Sequence, residues 1–568
     1  MQLAAYIGLL FALLGSLFLA GYACLAAWND RERASVLLER GQLVATALVV
    51  YASGVLFMAL AARHYGFLYV YENVDNTLPL AYTLTAFWAG QEGSLLFWEL
   101  IMAVCGAVFL HTAGYNDMQP RTQNAFWAFF FTIQAFFLLL LTSWSNPFLQ
   151  AAPTPADGTG MNPLLQDPGM IFHPPLLFLG FALFVIPACA ALAGFTAAEP
   201  KPWVRSTRNW TVLAWAFLTA GITLGGWWSY MELGWGGYWA WDPVENASLI
   251  PWFSATAFIH TALIESRRGA LQRTNVLLMA GTFLLCVFST YLTRSGVIQS
   301  LHAFGGGGVG LPLLLFLLAG SALGLVVVFL GARQVYRSLR GMLSRQGLLV
   351  ATAWAFLALG VVVTLATMWP VISLLWSQQS VGLGPDFYNR VCLPLFALVV
   401  LLFMVCPWLG WKQGVRHRWG LLAVGVVFVA GLAGFFAAGI TKPLALVAAA
   451  GASAALASAV LPFVLLPGTA RLRRSFGAYG VHAGLALVAL GIAFSGPYKL
   501  EREVTLDEGQ TTAIGDFEFT YAGHVQDSTR NLRARAVATL EVDRDGADYG
   551  VLKPELRIYR NFDQQFAE

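Results

Sequence analysis

Residues 225 to 252 read GGWWSYMELGWGGYWAWDPVENASLIPW. Six tryptophans (Trp227, Trp228, Trp235, Trp239, Trp241, Trp252) and two tyrosines fall within these 28 residues, spaced by glycines and without a lysine or arginine. A loop in water does not spread so much ring surface into solvent. Flat rings on a glycine-flexible backbone suit a large flat ligand, because each offers stacking area at low rotamer cost. The plainer alternative is an aromatic belt at a membrane interface, but a belt does not require so dense a cluster.

The histidines sharpen this. His173 (DPGMIFHPPLLF) and His302 (RSGVIQSLHAF) bracket the cluster in sequence. Neutral imidazoles on opposite faces of a porphyrin are common iron ligands, so the two form a candidate axial pair beside an aromatic wall. His260 (ATAFIHTAL) and His482 (GAYGVHAGL) lie inside apolar runs, where ionisable side chains are costly and tend to be functional. Each falls about six residues from the inner end of its run, roughly 9 Å along a helix. Matched depth is what a bis-histidine b-type haem requires, and Gly480, Ala483 and Gly484 leave room for a macrocycle, although small residues equally let helices pack. Two unrelated, hydrogen-bonded core histidines remain the alternative. His64, His111, His417 and His524 read as structural. Asp242-Pro243-Val244-Glu245 spells a helix start, with Asp as N-cap and Glu closing a capping box, and this outweighs a chemical role for Asp242. Arg294, a lone basic residue at the outer end of its run, is a candidate partner for a haem propionate or else an interfacial anchor.

The elements that hold these residues are membrane helices. The chain has 568 residues, 58% hydrophobic and only 11% charged, which no water-soluble fold carries. About 14 apolar runs reach the length of a span, near 3–27, 40–62, 93–114, 123–144, 174–195, 209–226, 248–266, 274–294, 309–332, 347–370, 388–411, 419–436, 443–466 and 476–496. Basic clusters occupy alternate loops: Arg31, Arg33 and Arg40; Lys201, Arg205 and Arg208; Arg267, Arg268 and Arg273; Arg333 to Arg345; Lys412 to Arg418; Arg471 to Arg474. The positive-inside rule then puts the N-terminus, the tryptophan cluster, His173 and His302 outside. The fold expected is an all-α polytopic membrane domain over 1–497, with an outer tryptophan segment at 225–252. Residues 498–568 alternate polar and apolar residues around turn signals such as DEG and RDG, which predicts a small outer β-domain.

Composition also excludes. A net charge of +3 is too small to imply nucleic acid. The six cysteines lie in apolar stretches without a CxxC pair, which removes a disulfide framework, a thiol-disulfide motif and a covalent haem attachment site. The first apolar run lacks a basic leader and is too long for a cleaved signal, so it is expected to stay as a helix.

WGGYWAWDPVENASLIPW resembles the tryptophan-rich WWD segment of haem-handling proteins. SNPFLQ, DGTGMNPLLQDPGMIFHPPLLFLG, TRSGVIQSLHAFG and FWAGQEGSLLFWE (87–99) resemble motifs of the CcmF family of cytochrome c-type biogenesis proteins, and the likeness covers nearly the whole chain. The resemblance implies a haem lyase subunit that attaches haem to the CxxCH thiols of apocytochrome c in the bacterial inner membrane. It implies that His173 and His302 hold haem delivered by the haem chaperone CcmE, with the WWD segment on its face. It implies that His260 and His482 ligate a resident b haem that reduces the incoming iron, with quinol as an electron source. CcmH-type partners would present the reduced apocytochrome. Family members carry a final span after the β-domain, and this sequence stops at Glu568 before one. Thioether formation is then expected with haem docked on Trp227, Trp228, Trp235, Trp239 and Trp241, iron between His173 and His302. No side chain stands out as an acid–base catalyst, so positioning carries the rate. Other readings stay open: a paralogous lyase for a specialised haem motif, a haem transporter or relay, and a quinone-linked proton pump. The missing repeated halves count against the transporter, and the few charges within spans count against the pump.

Overall fold

A computed structural model describes residues 1–568 apart from 30–34, 200–201, 234–235, 299, 301–307, 332–338, 340, 467, 469–472, 530–531, 563–564 and 568. His302 and Trp235 therefore lie outside the described residues. Among those described, fourteen helices are long and apolar enough to cross a membrane. They are α1 Gln2–Trp28, α2 Val36–Ala61, α3 Gln91–Phe109, α4 Pro120–Ser143, α5 Pro168–Thr196, α6 Arg208–Glu232 and α7 Pro243–Arg268. The remainder are α8 Gln272–Arg294, α9 Gly310–Leu330, α10 Arg345–Thr367, α11 Pro385–Trp408, α12 Arg418–Ala437, α13 Pro443–Leu465 and α14 Ser475–Ser495. Each matches one expected run, because a lipid-facing backbone must close its own hydrogen bonds and a helix does so locally.

The helices sort by how much of their surface other helices cover. α4, α5 and α7 are mostly buried, whereas α12 and α14 leave most of their surface open. Buried aromatic rings fill the centre, among them Trp98, Trp127, Phe137 and Phe253. α5 and α6 approach closely through glycines: a Cβ on Gly180 would lie 2.8 Å from the Leu218 nitrogen, and one on Gly221 2.8 Å from that of Leu177. Small residues of this kind let membrane helices touch backbone to backbone. α6 and α7 are braced reciprocally, as the Trp252 indole donates to Thr219 Oγ1 at 2.8 Å and the Trp215 indole to Thr256 Oγ1 at 2.9 Å. Each buried N–H thus finds an acceptor on the opposite helix.

The tryptophan segment is helical at both ends. α6 runs through Gly225 to Glu232, and α7 begins at Pro243, which leaves only about ten connecting residues. Trp227 and Trp228 are helical, and Trp252 is buried within α7. Helical hydrogen bonding serves a Gly/Trp run as well as a loop does once lipid replaces water around it.

Residues 511–567 form an antiparallel sheet of strands β1 Thr511–Ile514, β2 Phe517–Asp527, β3 Leu532–Arg544, β4 Ala547–Leu552, β5 Glu555–Tyr559 and β6 Gln565–Ala567. The order is β1-β2-β3-β5-β6, with β4 also paired to β3. Gly523, at φ +117, sits at a bulge in β2, and a side chain there would meet the Glu508 carboxylate at 2.9 Å. The sheet reaches the helical domain where Asn561 Nδ2 donates to Asp75 Oδ2 at 3.2 Å.

Candidate functional site

His173 is set by the first two turns of α5. The Asp167 side chain accepts from the Gly169 N–H at 2.6 Å, and Pro168 follows at the first helical position. Pro174 has no N–H for the Met170 carbonyl one turn back, and the Trp88 indole donates to that carbonyl instead at 3.0 Å. The His173 ring donates from Nδ1 to the Gly221 carbonyl at 2.7 Å, which makes Nε2 the lone-pair nitrogen. A backbone carbonyl on the far nitrogen is the usual support of a metal-ligating histidine. Trp228 stacks parallel to the ring, with centroids 6.3 Å apart and planes at 13°.

One cavity of about 160 Å³ joins these residues to the end of α8; its walls include His173, Phe178, Trp228, Ser248, Thr290 and Arg294. Arg294 donates to Ser94 Oγ at 3.0 Å. The expected haem contacts His173, Trp228 and Arg294 thus converge from three helices. A cavity of this size admits about one benzene, so it takes an edge of a porphyrin and leaves the rest of the ring in the mouth.

In the connection between α6 and α7, Trp239 and Trp241 meet edge to face at 6.0 Å, and Trp241 stacks on Tyr388 at 5.0 Å and 9°. Trp241 stands at φ +59, which costs a bulky residue of order 1–3 kcal/mol. Its indole donates to Asn389 Oδ1 at 2.9 Å, and its carbonyl accepts from Asn246 Nδ2 at 2.9 Å, so neighbours from α7 and α11 fix the turn. Trp227 is half exposed. Asp242 builds the full capping box with Glu245. Its Oδ2 also accepts from Ser300 Oγ at 2.7 Å, two residues before His302. The Asp242 carboxylate is therefore engaged in holding chain segments together.

The second pair lies between α7 and α14. The His260 and His482 ring centroids are 6.2 Å apart, with planes at 84°. Two imidazole–metal bonds of about 2 Å each, placed end to end, set ring centres roughly 6 Å apart, so the spacing fits one iron between them. Both Nδ1 atoms donate one turn back on their own helix, His260 to Thr256 and His482 to Ala478, each at 2.7 Å. A side chain added at Gly480 or Gly484 would meet nothing within 4 Å, because both lie on the largely uncovered surface of α14. No group of three or more His, Cys, Asp or Glu side chains that could hold a metal ion occurs among the described residues. His417 caps α12 by accepting from the Gly420 N–H at 2.9 Å, and His524 bonds the Tyr521 hydroxyl at 2.8 Å, both structural roles.

A family model described as cytochrome C assembly protein matches residues 88–300, and one described as the CcmF C-terminal beta-sandwich matches residues 497–568. The cytochrome c-type biogenesis protein CycK of Bradyrhizobium diazoefficiens is 34% identical over 562 residues, covering 93% of this chain and 83% of that protein. CcmF of Pseudomonas fluorescens is 34% identical, covering 94% and 83%. The chain belongs to the CcmF family of cytochrome c-type biogenesis proteins. A solved structure described as cytochrome c heme lyase CcmF superposes with a TM-score of 0.81 at 31% identity, covering all of this chain and 89% of that one.

Within this family frame, several residues at the sites carry no signal of their own in the sequence. Gly225 faces the His173 ring, where a Cβ would lie 2.5 Å from Cε1. Tyr388 and Asn389 of α11 hold Trp241, and Phe403 of the same helix stacks on His482. Tyr238 of the tryptophan loop bonds Ser495 of α14 at 3.0 Å. Tyr238 belongs to the aromatic segment that the sequence marks, and Trp88 serves the Met170 carbonyl that Pro174 leaves without a donor.

Proposed function

We propose that the protein is the haem lyase subunit of a cytochrome c maturation system, working in a bacterial inner membrane with its tryptophan loop and β-domain on the periplasmic side. His173 and His302 are the axial ligands of the substrate haem. Trp227, Trp228, Trp235, Trp239 and Trp241 line its faces, and Arg294 pairs with a propionate as a charge-assisted contact. The single observation that carries this reading is the convergence of His173, Trp228 and Arg294 on one cavity, with His173 Nδ1 committed to the Gly221 carbonyl.

The chain's own groups bind and orient. Holding the porphyrin edge in the cavity presents the vinyl groups at the mouth, where each CxxCH thiol adds across a vinyl double bond. One C–S bond forms, the double bond becomes single, and the thiol hydrogen passes to the neighbouring vinyl carbon. Fixing both partners replaces an encounter of free molecules by an oriented one, and this supplies most of the acceleration. The buried rings exclude water from the held edge. A b-type haem between His260 and His482 would supply one-electron reduction of ferric iron, with quinol as its source. Haem arrives on a CcmE-type chaperone, and a CcmH-type protein presents the apocytochrome.

The test compares four variants in cells lacking the native protein. His173→Ala and His302→Ala should abolish covalent haem staining of cytochrome c while the purified protein keeps its b-type pyridine haemochrome. His260→Ala and His482→Ala should remove that haemochrome. Covalent cytochrome c at wild-type level in the first two variants would end the proposal.

A further inference from the structure

We propose that Phe403 and Phe356 hold the His482 and His260 imidazoles with their planes crossed, so that iron between them is bound by perpendicular ligand rings. The inference rests on the reading of this pair as axial ligands.

A helical histidine whose Nδ1 is tied to its own backbone retains one main freedom, rotation of the ring plane within the limits of that bond. Here both rings are tied in that way, to Thr256 and Ala478. What lies against the ring faces then selects the plane. The Phe403 ring stacks on His482 at 4.2 Å and 22°. Phe356 lies beside His260 at 6.2 Å and 33°. Phe356 is itself wedged, edge-on to Trp252 at 5.8 Å and tilted against Phe253 at 6.2 Å. The two phenyl rings come from α11 and α10, neither of which carries a histidine of the pair. Their packing therefore fixes the crossing of 84° without help from a bound macrocycle.

Crossing the planes has an electronic consequence. Each imidazole donates π density into the iron orbital perpendicular to its own ring. Coplanar rings load the same orbital and split the pair of iron π orbitals widely. Crossed rings load one orbital each and leave the pair nearly degenerate. Ligand orientation thus joins ligand identity and hydrogen bonding as a lever on the haem.

The test is low-temperature EPR of the purified full-length protein in its ferric state. Wild type should give a low-spin signal dominated by one strongly shifted low-field line, not the well-spread rhombic spectrum of coplanar ligands. Phe403→Leu should convert that line to a rhombic spectrum with haem content and optical bands retained, and Phe403→Tyr, which keeps the ring, should preserve it. A rhombic wild-type spectrum, or an unchanged low-field line in both Phe403→Leu and Phe356→Leu, overturns the proposal. A wild-type protein with no low-spin haem, or one whose signal survives His482→Ala, overturns instead the reading of the pair as ligands.

Discussion

The His173 ring has three fixed neighbours: the Gly221 carbonyl at its Nδ1, the Trp228 indole parallel to one face, and the bare α-carbon of Gly225. A Cβ at Gly225 would stand 2.5 Å from Cε1 and 2.8 Å from Nδ1, and the ring cannot retreat without breaking its hydrogen bond or the stack. Overpacking of this kind costs about 1–3 kcal/mol, which a change of ring orientation would relieve at the expense of ligand geometry. Gly225→Ala is therefore expected to weaken haem binding at the outer site by about tenfold or more, since each 1.4 kcal/mol is a factor of ten. The b-type haemochrome should stay unchanged, because His260 and His482 lie on other helices. Optical titration of the purified variant with haem checks both, and wild-type affinity would show that the ring has slack. The sequence marks His173 and Trp228 through their types and neighbours, but it gives no sign that Gly225 is what the ring rests against. That contact follows from how α5 and α6 cross.

Among the elements, α7 carries residues of both sites. It starts beneath Trp241, lines the cavity through Ser248, and carries His260 twelve residues further on, about 18 Å along its axis. Its start was legible: the spelling Asp-Pro-x-Glu predicts the capping box, and Val244 N donates to Asp242 Oδ2 at 2.9 Å while Glu245 Oε2 accepts from Asp242 N at 3.1 Å. Its end is equally plain, with Gly269 left-handed at φ 65. Asp242→Ala removes the cap and the Ser300 tether together. The cap alone is worth about 1 kcal/mol. The expected result is a destabilisation of about that size in chemical unfolding, with faster amide exchange over 244–247 and no change near His260. Equal exchange at both ends of α7 would contradict a local capping role. Span positions were readable because lipid demands about twenty apolar residues per crossing, whatever the partners. The runs near 209–226 and 248–266 located α6 and α7, and the structure extends them to Glu232 and back to Pro243, because Gly and Trp composition does not report whether backbone groups pair within a helix. Cross-helix partners such as Phe403 on His482 depend on helix rotation, which an all-round apolar helix leaves unmarked.

For the whole molecule, the face that carries the tryptophan loop is assembled from parts far apart in the chain. Tyr238 of the tryptophan loop meets Ser495 at the end of α14, the helix that also carries His482. The β-domain follows directly from that helix and returns to the helical domain at Asp75 through Asn561. Asp75 is buried, and its Oδ1 already accepts from the Thr77 N–H, the Thr77 hydroxyl and the Leu78 N–H at 2.6 to 2.8 Å. Its Oδ2 is the atom that Asn561 reaches, so this amide is one donor joining the end of the sheet to the loop before the short helix Leu80–Ala89. The alternation of residues 498–568 predicted the strands, whereas a contact spanning most of the chain has no local signature. A hydrogen bond to a charged group is worth about 1.5–3 kcal/mol. Asn561→Ala forfeits that bond, while Asn561→Asp replaces it by facing carboxylates and should cost more. In folded, haem-loaded protein, limited proteolysis between α14 and β1 should then quicken in the order wild type, Asn561→Ala, Asn561→Asp. The increase should reach roughly tenfold for the last if undocking precedes cleavage, because the cut rate follows the open population. Raising the salt concentration should narrow the gap between the two variants, since only the second acts through charge repulsion that ions screen. Identical cleavage of all three proteins would mean that the sheet is held elsewhere and that the Asp75 contact merely accompanies its docking.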